Sequence, residues 1–443
     1  MSPSRRLPGV AHALVALSLA SCTSARTPGA ATSAGAEPSP LASMCAADND
    51  GLALPDGFCA IVVVDSLPGA RHLEVAANGD VFVALQNRSQ GRGQPVLQGG
   101  IAVLRDTDGD GRADSIGKWG VNGGNDVVLA DGFVYSSPND AVLRYPISAG
   151  SMTPSGPPDT IVSGLPAVDN HTAKSIALDP DGSLYVNIGS PSNACQQQAR
   201  TPGSPGQDPC PQLDTRAGIW RFDAGQLHQT EADGTRWATG MRNTVALRMN
   251  PATNVLYGVV HGRDSLHDLW PDLFTVEQST EKPAEIFVRI RQNDDYGWPY
   301  CYFDQDTRQN LLNPEYGGDG HTVGRCADKS MPLMGFPGHW APDDLEFYAG
   351  RQYPDHYEGG AFIAFHGSWN RAPNPQDGYR VVFVPRDGDG FASSWEVFAD
   401  GFRTDGSSRP SARPVGLSVG PDGSLYVSED AHGRIWRIVY RGM

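Results

Sequence analysis

A short unit recurs six times along the chain, a tight turn followed by an alternating strand. The copies are Asn78-Gly-Asp-Val-Phe-Val-Ala, Asp131-Gly-Phe-Val-Tyr-Ser, Pro180-Asp-Gly-Ser-Leu-Tyr-Val, Asn254-Val-Leu-Tyr-Gly-Val-Val, Gly359-Gly-Ala-Phe-Ile-Ala-Phe and Pro421-Asp-Gly-Ser-Leu-Tyr-Val. Asp-Gly or Asn-Gly makes the turn, and a Leu-Tyr-Val type of strand suits a half-buried sheet. Most copies are followed by a second strand with an Arg or aromatic pattern, as in Ala141-Val-Leu-Arg-Tyr-Pro, Gly218-Ile-Trp-Arg-Phe-Asp and Arg434-Ile-Trp-Arg-Ile. Self-similar β-units at long, uneven spacing mark blades that bury their faces against their neighbours. The expected fold is therefore all-β, a six-bladed β-propeller with long inter-strand loops. A pair of β-sandwiches, the competing architecture, predicts no such repeat.

Each blade has roughly 65 residues, against about 40–45 in a compact one. The surplus falls in loops, mostly between Asp264 and Gly359. Loops on one rim of a rigid scaffold are where function usually sits.

The N-terminus reads as a secretory leader: Arg5 and Arg6, then an apolar run from Val10 to Leu19 that is too short to span a bilayer. Leu19-Ala20-Ser21-Cys22 resembles a bacterial lipobox. The expected organisation is a leader over 1–21, a flexible Ala/Ser/Thr/Pro/Gly tether over 22–43 and the propeller over 44–443. That reading makes the chain an exported lipoprotein, facing the periplasm or the cell surface, whose membrane contact is a lipid on Cys22. An ordinary cleavage site with a chance cysteine is the plainer alternative.

The net charge of −16 repels nucleic acid and anionic headgroups and argues against both as partners. Six further cysteines fall as three local couples, and proximity pairs Cys45 with Cys59, Cys195 with Cys210 and Cys301 with Cys326. In an oxidising compartment each bridge would add about 3 kcal/mol. No C-x-x-C spacing supports a cysteine metal site instead. The doubly wound G-x-G-x-x-G, the G-x-S-x-G elbow and H-E-x-x-H are all missing.

Four polar stretches fall where loops should reach the central channel. They are Asp169-Asn-His-Thr-Ala-Lys174, Gly240-Met-Arg-Asn-Thr with Val260-His-Gly-Arg-Asp264, Asn293-Asp-Asp-Tyr-Gly-Trp-Pro-Tyr-Cys301 and His366-Gly-Ser-Trp-Asn-Arg371. These stretches, together with Leu54-Pro-Asp-Gly-Phe-Cys59, Ala70-Arg-His-Leu, Gly189-Ser-Pro-Ser-Asn and Arg413-Pro-Val-Gly, resemble in their order the glucose/sorbosone dehydrogenase family. Members of that family are propellers that use pyrroloquinoline quinone and calcium. The sorbosone and pyranose dehydrogenase branch is the nearer match.

The resemblance implies residue roles. His171 matches the catalytic base, which Asp169 could orient. Arg242 and Asn243 match the pair beside the quinone; Arg71, His366, Arg371 and Arg413 match further cofactor contacts. Such a buried tricarboxylate demands several cations. Lys174 stands where the family more often carries Arg. Calcium would take backbone oxygens at Gly262 and Arg263, the latter replacing a proline of the glucose branch, and a second ion would map to Glu285 and Tyr296. For any single Arg the plain reading is a blade-bracing ion pair, and for Tyr296-Gly-Trp-Pro an aromatic turn.

The implied activity is oxidation of an aldose or related sugar, with electrons passed to a separate periplasmic acceptor, a cytochrome or a quinone. No haem-attachment C-x-x-C-H is present to receive them internally. A propeller that binds ligand without chemistry, and a calcium-dependent lactonase, are the rival readings. Asp106-Thr-Asp-Gly-Asp-Gly-Arg-Ala-Asp114 has calcium-loop spacing without the Glu of an EF-hand, so an acidic hairpin turn is equally expected.

Overall fold

The computed structural model describes residues 38–89, 95–120, 122–168, 170–388, 390–403 and 412–442. The expected leader, Cys22 and most of the tether lie outside these residues, as does Asp169. Six sheets make six blades, antiparallel but for a short parallel fifth strand, Gln229–Thr230, on the second. The first blade runs outward from Ala70–Val75 through Val81–Leu85 and Gly100–Arg105 to Ser115–Trp119. The next four begin at Gly124–Ala130, Ile176–Leu178, Ala246–Asn250 and Pro342–Phe347. The sixth holds Pro414–Val419, Leu425–Glu429 and Ile435–Tyr440, and its outer strand is Phe58–Val64 from the other end of the chain. The six recurring units form the second strand of each blade, as expected.

Period-two alternation makes this arrangement stick. In Ser183–Ile188, Leu184, Val186 and Ile188 pack against the second blade, and Tyr185 turns toward the fourth. In Ala361–His366, Phe362 and Ala364 face the sixth blade, and Ala361, Ile363 and Phe365 face the fourth. Six apolar clusters result, one between each pair of consecutive blades, and the first strands touch one another in a closed ring. Loop surplus does fall between Asp264 and Gly359, as the short helices Leu266–Leu269 and Val276–Glu281 and the hairpin Cys301–Asp304/Gln309–Leu312. The same stretch also holds Glu285–Ile290 and Met334–Phe336, two strands of the fourth blade.

Near the axis four of the six first strands are interrupted. Register shifts between Ala70 and Leu73, Gly124 and Val127, and Pro342 and Asp344 turn Arg71, Asn125 and Asp343 inward. Arg71 donates to Asp343 (3.1 Å), Asp430 (3.0 Å) and Asn125 (3.0 Å). Elsewhere on these strands Arg248, from the fourth blade, ties Glu346 (2.5 Å) and Glu74 of the opposite blade (2.9 Å). The axis is packed with paired charge.

All three expected disulfides are present, Cys45–Cys59, Cys195–Cys210 and Cys301–Cys326. From Ser39 the N-terminal segment is docked: Ser39 N donates to the Tyr440 carbonyl, and Pro40–Met44 forms a 3-10 turn. Among the described residues no helix is long and apolar enough to cross a membrane.

Candidate active site

His171 lies on the loop entering the third blade, in the left-handed region at φ 56°. Its Nδ1 donates to the Ser190 carbonyl at 2.7 Å, and Ser190 N donates to the Arg242 carbonyl at 2.7 Å. With its proton on Nδ1, the ring keeps a lone pair on Nε2. Burial, followed by the charge of Arg242, pushes the imidazole down to about 3, so it is neutral across the physiological range. Gly189 makes the packing possible. A Cβ there would stand 2.6 Å from His171 Cβ and 2.8 Å from Asn243 Oδ1. Asn243 is held in turn by Asn187, whose Nδ2 donates to it at 3.3 Å while its Oδ1 accepts from Thr244 N at 3.1 Å.

Arg242 is buried beside them. Its Nη2 donates to Asp264 Oδ2 (2.9 Å) and Asn193 Oδ1 (3.2 Å), and its Nε has no protein partner. Asp264 is the hub of the site. One oxygen takes Arg242 and Arg200 (3.0 Å); the other takes Asn370 Nδ2 (3.0 Å) and lies 3.7 Å from His339 Nδ1. Burial alone would raise this carboxyl, but Arg242, His339 and Arg200 hold it well below the usual range.

Arg242 also walls a small cavity together with Gly240, Gly262, Arg263, Tyr296 and Trp298. Three lining side chains carry buried polar atoms without a protein partner: Arg242 Nε, Tyr302 OH and Asn313 Oδ1. Glu285 joins through Gly262, whose N–H it accepts at 2.8 Å. The Arg263 side chain turns away into a buried ion pair with Glu315, which also accepts Trp270 Nε1 at 3.0 Å. Tyr296 donates its hydroxyl to the Arg289 carbonyl at 2.6 Å, and burial pushes that phenol upward.

A buried, unpartnered guanidinium N–H suits a carboxylate of a flat anionic cofactor. Unpartnered oxygens at a cavity wall suit a hard cation. The residues therefore fit both groups that the sequence resemblance implies.

The family model described as TrAA12-like matches residues 52–441. The chain belongs to the TrAA12-like family. An uncharacterized protein of Borreliella burgdorferi is 29% identical over 205 residues, covering 46% of this chain and 48% of that one. A pyrroloquinoline quinone-dependent pyranose dehydrogenase of Coprinopsis cinerea is 28% identical over 269 residues, covering 50% of this chain and 34% of that one. The chain thus spans half or less of the length of these curated relatives. The holo quinone domain of the Coprinopsis cinerea pyranose dehydrogenase superposes with a TM-score of 0.69 at 21% identity, over 88% of this chain and 97% of that one. A Trichoderma reesei protein of carbohydrate-active family AA12 gives 0.70 at 19%, over 88% and 98%. At such identities these likenesses speak for the fold.

The other candidate residues of this TrAA12-like chain are placed as follows. Arg71 sits in the axial ion-pair group, and His366 joins it through Nε2 to Asp430 at 2.9 Å. Arg413 donates to the carbonyls of His366 (3.0 Å) and Gly367 (2.6 Å). Arg371 spends its guanidinium on Thr280 O, Gly338 O, Pro375 O and Glu281. Lys174 is fully buried and donates to the carbonyls of Pro166 (2.8 Å) and Thr172 (2.6 Å), bracing the loop that carries His171. Burial draws its amine down to about 8. Asp106, Asp108 and Asp114 offer oxygens within 4.8 Å of one another, several already accepting backbone N–H groups of their own loop.

Sequence reasoning assigned nothing to Asp264, Asn193, Asn370, Arg200 or His339. Asp264, Asn193 and Asn370 end or interrupt motifs already singled out, and that was the available signal. Arg200 and His339 lie outside every motif.

Proposed function

We propose that the protein is a pyrroloquinoline quinone-dependent dehydrogenase that oxidises an aldose or related sugar at its anomeric or aldehyde carbon. The carrying observation is the arrangement of His171: neutral, tied at Nδ1 through Ser190 to the backbone of Arg242, and crowded against Asn243 at Gly189. When bound, the quinone would supply the electrophilic acceptor for a hydride and Ca²⁺ would supply Lewis-acid assistance. His171 Nε2 takes the proton of the anomeric hydroxyl as the C–H bond gives up its electron pair, leaving a lactone. Arg242 and Asn243 bind and orient the cofactor, and Arg242 Nε offers the donor the protein itself does not use. Gly262 and Arg263, with Tyr296 and Glu285 nearby, would hold the cation.

The electrons taken from the sugar would be passed on to a separate acceptor, a cytochrome or a quinone. The N-terminal sequence supports a periplasm-facing or cell-surface lipoprotein carried on Cys22 as the setting. Purified protein reconstituted with the quinone and Ca²⁺ should reduce an artificial acceptor with aldoses. Absence of both dye reduction and quinone binding overturns the reading.

A further inference from the structure

We infer that Trp369 is the platform on which the sugar ring of the substrate stacks, a specificity-determining residue that rests on the sugar-oxidising reading above. Eight of the nine tryptophans are wholly or largely packed away; Trp369 alone is exposed, at 68%. An exposed indole forfeits the largest burial gain any side chain can make, so its position needs a reason. The surrounding backbone gives none, because it is rigidly held.

Ser368 is buried, its N–H donating to the Asp377 carbonyl and its hydroxyl to Gln376 at 2.8 Å. Its own carbonyl accepts the Tyr379 hydroxyl. Asn370 is bound to Asp264 at 3.0 Å, and Arg371 is bonded to carbonyls of the neighbouring loops. A pinned residue on either side presents the indole outward in one place, with no ring or cation contact to it among the described residues.

Its neighbours in sequence belong to the site or lie close to it. Asn370, one residue on, shares the Asp264 carboxylate with Arg242, and His366, three residues back, bonds Asp430. Val168, 67% exposed, stands three residues before His171, so the loops bearing the base and the indole both offer apolar surface to solvent. Pyranoses carry a face of axial C–H groups that pack on an aromatic plane, and a rigid indole supplies that plane at low entropic cost. The cofactor's carboxylates call for Arg242, not for an indole. A sugar, polar at its rim and apolar on one face, matches both.

The test compares wild type, Trp369→Ala and Trp369→Phe, each reconstituted with quinone and Ca²⁺. Quinone affinity is read by absorbance titration, and KM and kcat are measured with D-glucose, D-xylose and an artificial acceptor. Expected is a rise in KM of about tenfold for Trp369→Ala with a much smaller change in kcat and in quinone affinity, partly restored in Trp369→Phe. An unchanged KM overturns the inference. So does a loss centred on quinone affinity, which makes the indole a cofactor wall, or a loss seen only with a protein acceptor. If wild type neither binds quinone nor reduces dye, the dehydrogenase reading has failed. Calorimetry of the same sugars on the unloaded proteins then decides the platform separately, and equal or absent binding in wild type and Trp369→Ala refutes it.

Discussion

Arg242 and Asp264 meet at 2.9 Å in a pocket where the carboxylate also gathers Arg200, Asn370 and His339. One acid therefore sets the position of the cation nearest the proposed base. Asp264→Asn keeps the shape and removes the charge. Its expected effect is a loss of quinone affinity of at least about tenfold and a clear fall in Tm, since breaking a buried pair costs about 3–5 kcal/mol. Absorbance titration and thermal melts check both; intact affinity would show that Arg242 is positioned without it.

His171→Asn should lower kcat by about 10²- to 10⁴-fold while the quinone titration stays as in wild type. The imidazole sits near 3 in the folded protein. Its protonation therefore sets no limb of the rate profile between pH 5 and 8. An acid limb centred near pH 6.5 that disappears in His171→Asn would contradict the burial argument.

Two histidines pull stability in opposite directions with pH. His171 is lowered to about 3, so the unfolded chain binds its proton more readily; stability falls as pH drops from about 6.5 toward 3. His72 is the converse: Nδ1 faces Asp126 at 3.1 Å and Nε2 the Asp343 carbonyl at 2.7 Å, two acceptors that require both N–H groups. Against burial, Asp344 and Asp126 lift it to about 9, with Arg71 opposing. Its contribution, on the order of 3 kcal/mol, is complete below pH 6.5 and lost as pH rises through 9. Chemical denaturation from pH 6 to 10 should show this decline in wild type and a shallower one in His72→Gln.

Reduction should destabilise the loops before the blades. The bonds Cys195–Cys210 and Cys301–Cys326 close segments of 15 and 25 residues that pack on Trp298 and Tyr300 near the cavity. Cys195→Ser with Cys210→Ser should cost about 3 kcal/mol. The same variant should weaken Ca²⁺-induced thermal stabilisation, measured by melts with and without the ion.

The sequence disclosed the second strands of the blades because their burial is two-sided and most of their turns carry glycine. The first strands were harder to see. Four of the six are broken by bulges, and three of these carry Arg71, Asn125 and Asp343, so their pattern reads as polar loop. In the site, motif order pointed to His171, Arg242 and Asn243, which the fold brings together. It gave no means of telling an arginine aimed at a ligand from one bonded to neighbouring loops, as Arg371 is, because that distinction lies in partners far away in sequence. Asp264 was overlooked for the same reason: its four partners come from four separate stretches of chain.

Phe58–Val64 pairs antiparallel with Ile435–Tyr440, with a bulge at Val63. The ring of blades is therefore a clasp whose hook, Phe58–Val64, precedes every other strand of the blades and whose eye, Ile435–Tyr440, follows them. A chain being synthesised can build individual blades, but it cannot shut the circle until Ile435–Tyr440 has emerged. Such long-range closure is paid for in loop entropy and slows folding. Truncation by as few residues as that last strand would leave an open arc with two bare sheet edges, prone to pair with a neighbour in place of the missing strand.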